Sequence, residues 1–149
     1  MADISEIYDK VRRLLVALDF KTNLAGETGF MLPFEETYVV IDVHSLGEQE
    51  PIHPVEVWSP VLFDVPVTDA LCRYLAGSKF IFGSFELYFD DGATIDTAAT
   101  GTLVFSNTIL GDYLDRDELE TAIGMVISAA TNDAEAMHGR FGGRRVNAD

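Results

Sequence analysis

Four residues in the first half of the chain have the side chains of a divalent-metal site. Asp42 and His44 are two positions apart, and His53 and Glu56 follow after the segment 45–52. Imidazole and carboxylate groups are suitable ligands for such ions, and the segment is long enough to fold back. The more ordinary interpretation is that His44 ends a strand on its polar face and that His53 lies in a loop. The sequence therefore predicts no metal site, and an enzyme that uses a metal at His44 and His53 is kept only as an alternative.

A second candidate is the segment 88–96 (YFDDGATID), which places three carboxylates beside a glycine. A calcium loop has glycine at its sixth position and carboxylates or amides at its first, third and fifth. If Gly92 takes the glycine position, Leu87 and Phe89 occupy the first and third positions, so the template fails. An Asp-Gly pair between two alternating apolar runs is typical of a tight hairpin turn. The sequence predicts such a turn at Asp91 and Gly92.

The motifs do not indicate a catalytic nucleophile. Cys72 follows Leu71 in a predicted helix, without a histidine close in sequence, as expected for a packed thiol. The chain has no G-x-S-x-G elbow and no dinucleotide fingerprint, and the segment 77–79 (GSK) lacks the glycine spacing of a phosphate loop. One cysteine excludes an internal disulfide, and no apolar run has the length of a membrane span. We expect a cytoplasmic protein that is not an enzyme and has no cofactor.

The formal net charge of −15 is unevenly distributed. Residues 22–72 contain nine acidic residues and no Lys or Arg, and residues 80–115 contain six acidic residues and no Lys or Arg. Binding to phosphates requires clustered cations, so nucleic acid is excluded as a partner. An acidic surface of this kind keeps a protein dispersed, and it also attracts basic or amphipathic polypeptides.

Hydrophobic periodicity defines the elements that carry these residues. Apolar positions at helical spacing predict helices over residues 4–18, 66–77 and 115–141, the last with a break near Asn132. Alternating positions predict strands over residues 30–34, 38–44, 55–63, 80–89 and 95–105, and Pro60 puts the third strand at an edge or breaks it. Short connections between successive strands indicate an α+β fold with a five-stranded antiparallel sheet, in the order α-βββ-α-ββ-α. Residues 1–143 are expected to form one domain, and residues 144–149 a flexible tail.

The predicted strands carry more aromatic residues than one face of a sheet can bury. Exposed aromatics bordered by acidic residues would form an apolar patch, which usually marks a protein interface. We expect Trp58, Phe63, Phe82 and Tyr88 to contact a partner protein, and Leu71 and Tyr74 to form the seam of a homodimer.

The order of the elements resembles that of the YbjN-like family, whose domains are also described as type III secretion chaperone-like or sensory-transduction-regulator-like. The segments RYLAGSKFIFGSFELYFDDG and TILGDYLDRDELETAIGMVISAATNDAEAMHGRFGG carry the resemblance, which extends from about Ser5 to Gly143. It implies an acidic α+β domain with five antiparallel strands packed on helices. Secretion chaperones of this fold are homodimers that hold an extended client segment and have no catalytic residues.

These observations favour a protein-binding module, resembling a secretion chaperone or regulator, that holds a client segment by strand addition or in an apolar groove. The main alternative is a regulatory domain that senses a small ligand in a closed apolar pocket between a helix and the sheet.

Overall fold

A computed structural model describes residues 3–47, 49, 52–80, 82–90 and 92–147. The α-helices of the described residues are α1 (Ile4–Ala17), α2 (Asp69–Gly77), α3 (Arg116–Asn132) and α4 (Ala134–Phe141). The strands are β1 (Asn23–Ala25), β2 (Gly29–Pro33), β3 (Tyr38–Val43), β4 (Pro54–Pro66), β5 (Ser84–Tyr88), β6 (Thr100–Leu110) and β7 (Arg144–Arg145). A 3-10 helix at Gly111–Tyr113 joins β6 to α3.

The strands form one antiparallel sheet with the order β1-β2-β3-β4-β6-β5, and β7 pairs with β4 outside this path. Alternate side chains of each strand point to opposite faces of the sheet. Odd-numbered positions of β3, β4 and β6, such as Val39, Val57 and Phe105, are buried in one hydrophobic cluster together with side chains from every α-helix. The helices therefore cover one face of the sheet. We call the other face the open face. It carries the even-numbered positions of β3, of β6 and of β4 up to Pro60, and beyond the register shift in β4 it carries Phe63 while Leu62 lies in the core.

Side-chain caps begin the helices where the sequence predicts them. The Asp3 carboxylate accepts a hydrogen bond from the Glu6 amide at 3.0 Å, and Asp115 and Glu118 form a reciprocal capping box at the start of α3. The predicted break is confirmed, because α3 ends at Asn132 and α4 begins at Ala134. None of the described helices is long and apolar enough to cross a membrane.

The expectation of an antiparallel α+β fold is correct, but the expected five strands are wrong because the described residues form seven. One added strand, β1, pairs with β2 across a turn at Gly26, in a segment too short and polar to show alternation. The other, β7, pairs Arg144 and Arg145 with Phe63 and Leu62 of β4, inside the segment that the sequence assigns to a flexible tail. Main-chain pairing needs no apolar pattern, and periodicity therefore misses both strands.

The strand that contains Pro60 is central and does not lie at an edge, because β4 has β3 on one side and β6 on the other. Its pairing with β3 ends at Trp58, and its register with β6 shifts between Pro60 and Leu62. The missing amide hydrogen of Pro60 is tolerated at such an irregularity.

The connection between the last two long strands also differs from the prediction. The strands do form an antiparallel pair, but β5 ends at Tyr88 and β6 begins only at Thr100. The Thr97 hydroxyl accepts a hydrogen bond from the Thr94 amide at 2.8 Å, which holds a separate turn in this connection. Ile95, expected in a strand, is 52% exposed. Asp91 of the predicted turn and Ile81 of the predicted fourth strand lie outside the described residues.

Hydrogen bonds of His53 hold the start of β4 against the 3-10 helix, on the helix-covered side of the molecule. Its main-chain amide donates a hydrogen bond to Asp112 Oδ2 at 3.1 Å, and its Nδ1 lies 3.5 Å from Asp112 Oδ1. Lys10 of α1 donates to the main-chain carbonyls of Gly111 and Asp112 at 3.1 and 3.3 Å. The His53 imidazole is buried and therefore has a structural role in holding this junction.

We expect Asp112→Ala to lower the free energy of unfolding by about 1.5–3 kcal/mol, because it leaves the His53 amide without its charged acceptor. That hydrogen bond is the main cause of the lowered pKa of Asp112. A carboxyl group whose pKa is lower in the folded than in the unfolded state stabilises the fold at pH values above the unfolded-state pKa. This stabilisation is lost as the pH falls below about 4. Urea denaturation at pH 7 and pH 3 should show a difference between the wild type and the variant that shrinks at pH 3. The exposed Asp96→Ala is the control, and equal losses at both pH values would contradict the prediction.

Candidate binding groove on the open sheet face

A groove of about 590 Å³ lies on the open face of the sheet. It crosses β3, β4, β6 and β5, and we call it the open-face groove. Its lining residues are Tyr38, Asp42, His44, Glu56, Trp58, Pro60, Phe63, Tyr88, Thr102 and Val104. The volume falls within the range of sites that hold a small molecule or a short polypeptide segment.

Two aromatic side chains form the centre of the open-face groove. The Trp58 and Tyr88 rings lie 6.4 Å apart between centroids at an interplanar angle of 59°. Each polar tip has a carboxylate partner, because Trp58 Nε1 donates to Asp42 Oδ2 at 3.0 Å and the Tyr88 hydroxyl donates to Glu86 Oε2 at 3.0 Å. The two rings are thereby held with their apolar surfaces available to an occupant.

One end of the groove concentrates acidic side chains. Asp42 of β3 lies directly opposite Glu56 of β4 in the antiparallel register, and His44 follows on the same face of the strand. Ligand atoms of the three side chains lie within 4.8 Å of one another. Like charges on directly opposed strand positions destabilise a sheet, so this pair is maintained against a cost in stability.

Ionisation in the groove reflects burial and the neighbouring acidic residues. Burial raises the pKa of the Glu56 carboxyl, and the nearby Glu86 and Asp42 add to the effect while His44 opposes it. Burial also raises the pKa of the Tyr88 hydroxyl, with further contributions from Glu56 and Glu86. The pKa of Tyr38 is raised by burial. The groove is therefore a partly desolvated region with excess negative charge, to which a cation would be attracted.

Gly29 of β2 provides the space that the Asp42 carboxylate occupies. The two residues are cross-strand partners, and a Cβ atom at position 29 would lie 2.5 Å from Asp42 Oδ1. The same Cβ would collide with the main-chain oxygen of Ala25. Any larger residue at this position would therefore displace both the β1 strand and the carboxylate.

The opposite end of the groove has a different character. The Phe63 ring lies there, with the guanidinium of Arg144 from β7 placed 5.1 Å from its centroid. Arg144 Nε also lies 3.3 Å from Asp64 Oδ2, so its charge is already paired. The two ends of the groove thus differ in charge.

Three of the four residues predicted to contact a partner protein line the open-face groove, namely Trp58, Phe63 and Tyr88. Their role as contacts remains a prediction. Phe82, the fourth, lies in a separate cavity of about 250 Å³ beside Phe80, Phe105 and α3. Phe82 lies outside the ladder of β5. It precedes Gly83, which has a φ of +157° and approaches Ser106 closely.

The two residues predicted to form a dimer seam have different surroundings. Leu71 is 0% exposed and packs in the core of its own chain, so it cannot form an exposed seam in this fold. Tyr74 is half-buried, with its ring 5.3 Å from that of Phe141 between centroids and the Arg140 guanidinium 5.0 Å from its own centroid. A periodic apolar residue such as Leu71 has the same sequence signature whether it faces the core or a partner.

The pair of histidines considered for a metal-dependent enzyme is separated by the fold. His44 lies at the groove, whereas His53 is buried at the junction with Asp112. His44 follows β3 and His53 precedes β4, and the ligand groups that come together are those of Asp42, His44 and Glu56, without His53. An enzyme that uses both histidines at one metal is therefore ruled out, although Asp42, His44 and Glu56 of the same candidate set do meet.

Several groove residues carry no signal that identifies them from the sequence. Tyr38, Thr102 and Val104 belong to it only because β3 and β6 flank β4. Their even-numbered positions match those of Trp58 and Glu56, but the order of strands in the sheet was needed to bring them together.

A third cavity, of about 330 Å³, lies between the helices and the sheet. The residues that line it are Glu36, Thr37, Pro60, Val61, Ala130, Thr131, Ala134, Arg145, Val146 and Asn147. Glu36, Arg145 and several polar groups contribute to this lining. It therefore differs from the closed apolar pocket expected of a small-ligand sensor.

The fold defines an α+β protein with an antiparallel sheet covered by helices on one face, and the same architecture occurs in a solved structure. The crystal structure of YbjN from E. coli, a proposed transcription regulator, superposes with a TM-score of 0.57 over 90% of this chain and 93% of that chain. The sequences are 12% identical. The YbjN fold expected from the sequence is thus confirmed at the level of the fold alone. No protein-family model matches the chain, and no curated protein does so.

Proposed function

We propose that the protein is a non-enzymatic binding module that holds an extended segment of a partner protein in the open-face groove. The segment carries at least one basic side chain beside apolar ones. The observation that supports this function best is the combination of Trp58 and Tyr88 with an acidic end formed by Asp42 and Glu56.

Charge complementarity supports an occupant with a basic side chain. No Lys or Arg is among the described residues that line the groove, while Asp42 and Glu56 bring negative charge into it. A Lys or Arg side chain of the partner would relieve the like-charge pair and could also lie against an aromatic face. The stretch from residue 22 to 72, without a basic residue, extends the same potential over β1 to β4.

The shape of the groove favours an extended chain over a compact ligand. It crosses four neighbouring strands, and it has its acidic residues at one end and the Phe63 ring at the other. Glu56 and Phe63 both belong to β4, so a segment lying along this strand would present a basic residue at the first end and apolar residues at the aromatic centre and the second end. Alternate side chains of an extended segment can fill such positions.

The regulatory description of YbjN agrees with a module that acts by binding, since it names no reaction. The same description supports our proposal of a chaperone-like or regulatory role for this chain. The predicted homodimer is retained in the proposal, with light scattering as its measurement. Because Leu71 is buried, the dimer would use other residues, and β5, which has a neighbour on one side only among the described strands, offers an edge of the sheet.

The groove can be tested by display of random twelve-residue peptides on the immobilised full chain, with EDTA present. We expect enrichment of sequences that combine Lys or Arg with apolar residues. For a selected peptide, Trp58→Ala should weaken binding at least tenfold, since an aromatic anchor at the centre of a site contributes about 2 kcal/mol or more. Fluorescence anisotropy of the labelled peptide measures the affinity.

Phe82→Ala is the matched control, because it removes an exposed aromatic residue outside the groove. The proposal requires that this variant bind the peptide as the wild type does. Enrichment without basic residues, or equal affinity of the Trp58→Ala variant, would overturn it.

A further inference from the structure

Asp42, His44 and Glu56 have the composition and proximity of a metal-ligand set. An imidazole nitrogen of His44 and one carboxylate oxygen each of Asp42 and Glu56 lie within 4.8 Å of one another. Asp42 and His44 share a face because they are two positions apart, and Glu56 reaches them because it is the cross-strand partner of Asp42. Mixed nitrogen and oxygen ligands suit zinc and similar transition-metal ions, whereas all-oxygen sets suit calcium and magnesium.

We infer that these three side chains bind a divalent transition-metal ion of the zinc class at the acidic end of the open-face groove. A dication neutralises the like-charge pair of Asp42 and Glu56, which no Lys or Arg among the described lining residues does. This site does not depend on the proposed peptide function, since the ion can bind in the absence of any partner.

Neighbouring groups orient the ligands as the outer shell of a metal site does. Trp58 Nε1 donates to one oxygen of the Asp42 carboxylate at 3.0 Å, and the absence of a side chain at Gly29 leaves space for the other. The His44 main-chain amide donates to the Pro54 carbonyl at 2.8 Å, which fixes the end of β3 against the start of β4. Hydrogen bonds of this kind to ligating carboxylates fix their orientation and raise metal affinity.

The site offers three protein ligands and would therefore be an open one. Closed structural zinc sites have four protein ligands, and three leave a position for water or another group. All three side chains line the groove, so a group that enters the groove has access to the ion. A zinc ion held here would occupy the end of the groove where the proposed segment places its basic side chain, so the ion and the segment would compete for Asp42 and Glu56.

Isothermal titration of the full chain with zinc chloride, without peptide, tests the inference. We expect one equivalent of zinc to bind, and calcium and magnesium to bind at least tenfold more weakly. His44→Ala and Glu56→Gln should each weaken zinc binding at least tenfold, and circular dichroism should show that both variants fold. The emission of Trp58, the only tryptophan, should change on zinc addition in the wild type.

His138→Ala is the control, because His138 is an exposed histidine on α4, away from the groove. The inference would be overturned if His138→Ala abolished zinc binding or if His44→Ala left it unchanged. The absence of any saturable zinc binding would also overturn it. Because the titration contains no peptide and the peptide selection contains EDTA, the two proposals can fail separately.

Discussion

Phe30→Ala is expected to lower the free energy of unfolding by about 3–5 kcal/mol, the range for removal of a buried phenylalanine. Phe30 is 1% exposed, and its ring stacks on Tyr8 of α1 with 4.6 Å between centroids and an interplanar angle of 22°. The substitution removes the aromatic pair that docks α1 on β2 and leaves a cavity beneath the helix. Such a loss is a large fraction of the stability of an ordinary domain.

Urea denaturation followed by circular dichroism measures this effect. The matched control is Leu24→Ala in the adjoining β1 strand, because Leu24 is 74% exposed and should change stability by less than about 0.5 kcal/mol. A loss below about 1.5 kcal/mol for Phe30→Ala would show that α1 is docked by other contacts. Tyr8→Ala, which removes the partner ring from a half-buried position, should cost less than Phe30→Ala.

Glu56→Lys is expected to weaken binding of a selected basic peptide about a hundredfold or more, because like charges brought together at an interface cost several kcal/mol. It places an ammonium group at the end of the groove where the proposed occupant carries its own cation. Binding of the labelled peptide in EDTA, measured by fluorescence anisotropy, gives the change in affinity.

The same substitution should raise the free energy of unfolding by about 0.2–1 kcal/mol. It replaces the opposed carboxylates of Asp42 and Glu56 with a cross-strand ion pair. Opposite signs for binding and stability would identify Glu56 as a residue retained for binding, since a residue needed only for folding would lower both. Asp96→Lys on the exposed connection before β6 controls for the overall change in net charge. Equal losses of affinity in the two variants would contradict a local role for Glu56.

Much of the fold could be predicted from the sequence because it depends on local patterns. Alternation of apolar and polar residues identified β3, and the helical spacing of Ile7, Val11 and Leu15 identified α1. The caps at Asp3 and Asp115 marked the starts of α1 and α3, since a side-chain oxygen satisfies the free amides of a first turn. The resemblance to YbjN-like domains agreed with these patterns.

The errors arose where structure depends on partners that are distant in sequence. The short strands β1 and β7 are held by main-chain pairing with β2 and β4, which leaves no mark in composition. The Asp-Gly pair predicted a tight hairpin turn, and the Ala93 amide does donate to the Asp90 carbonyl at 2.9 Å, but β5 ends at Tyr88 and β6 begins only at Thr100. Leu71 has the periodicity of a seam residue and is buried in the core.

The sequence by itself determined the acidic charge, the α+β class and the surplus of aromatic residues on the strands. It could assign Trp58 and Tyr88 to strands but not to one groove, because they come together only when β6 is inserted between β4 and β5. It proposed Asp42, His44, His53 and Glu56 as one set, and the tertiary structure selected three of them. The physical reason is the pleat of the sheet: an even position in β3 faces an even position in β4 in this register, whereas His53 precedes β4 and contacts Asp112 of the 3-10 helix.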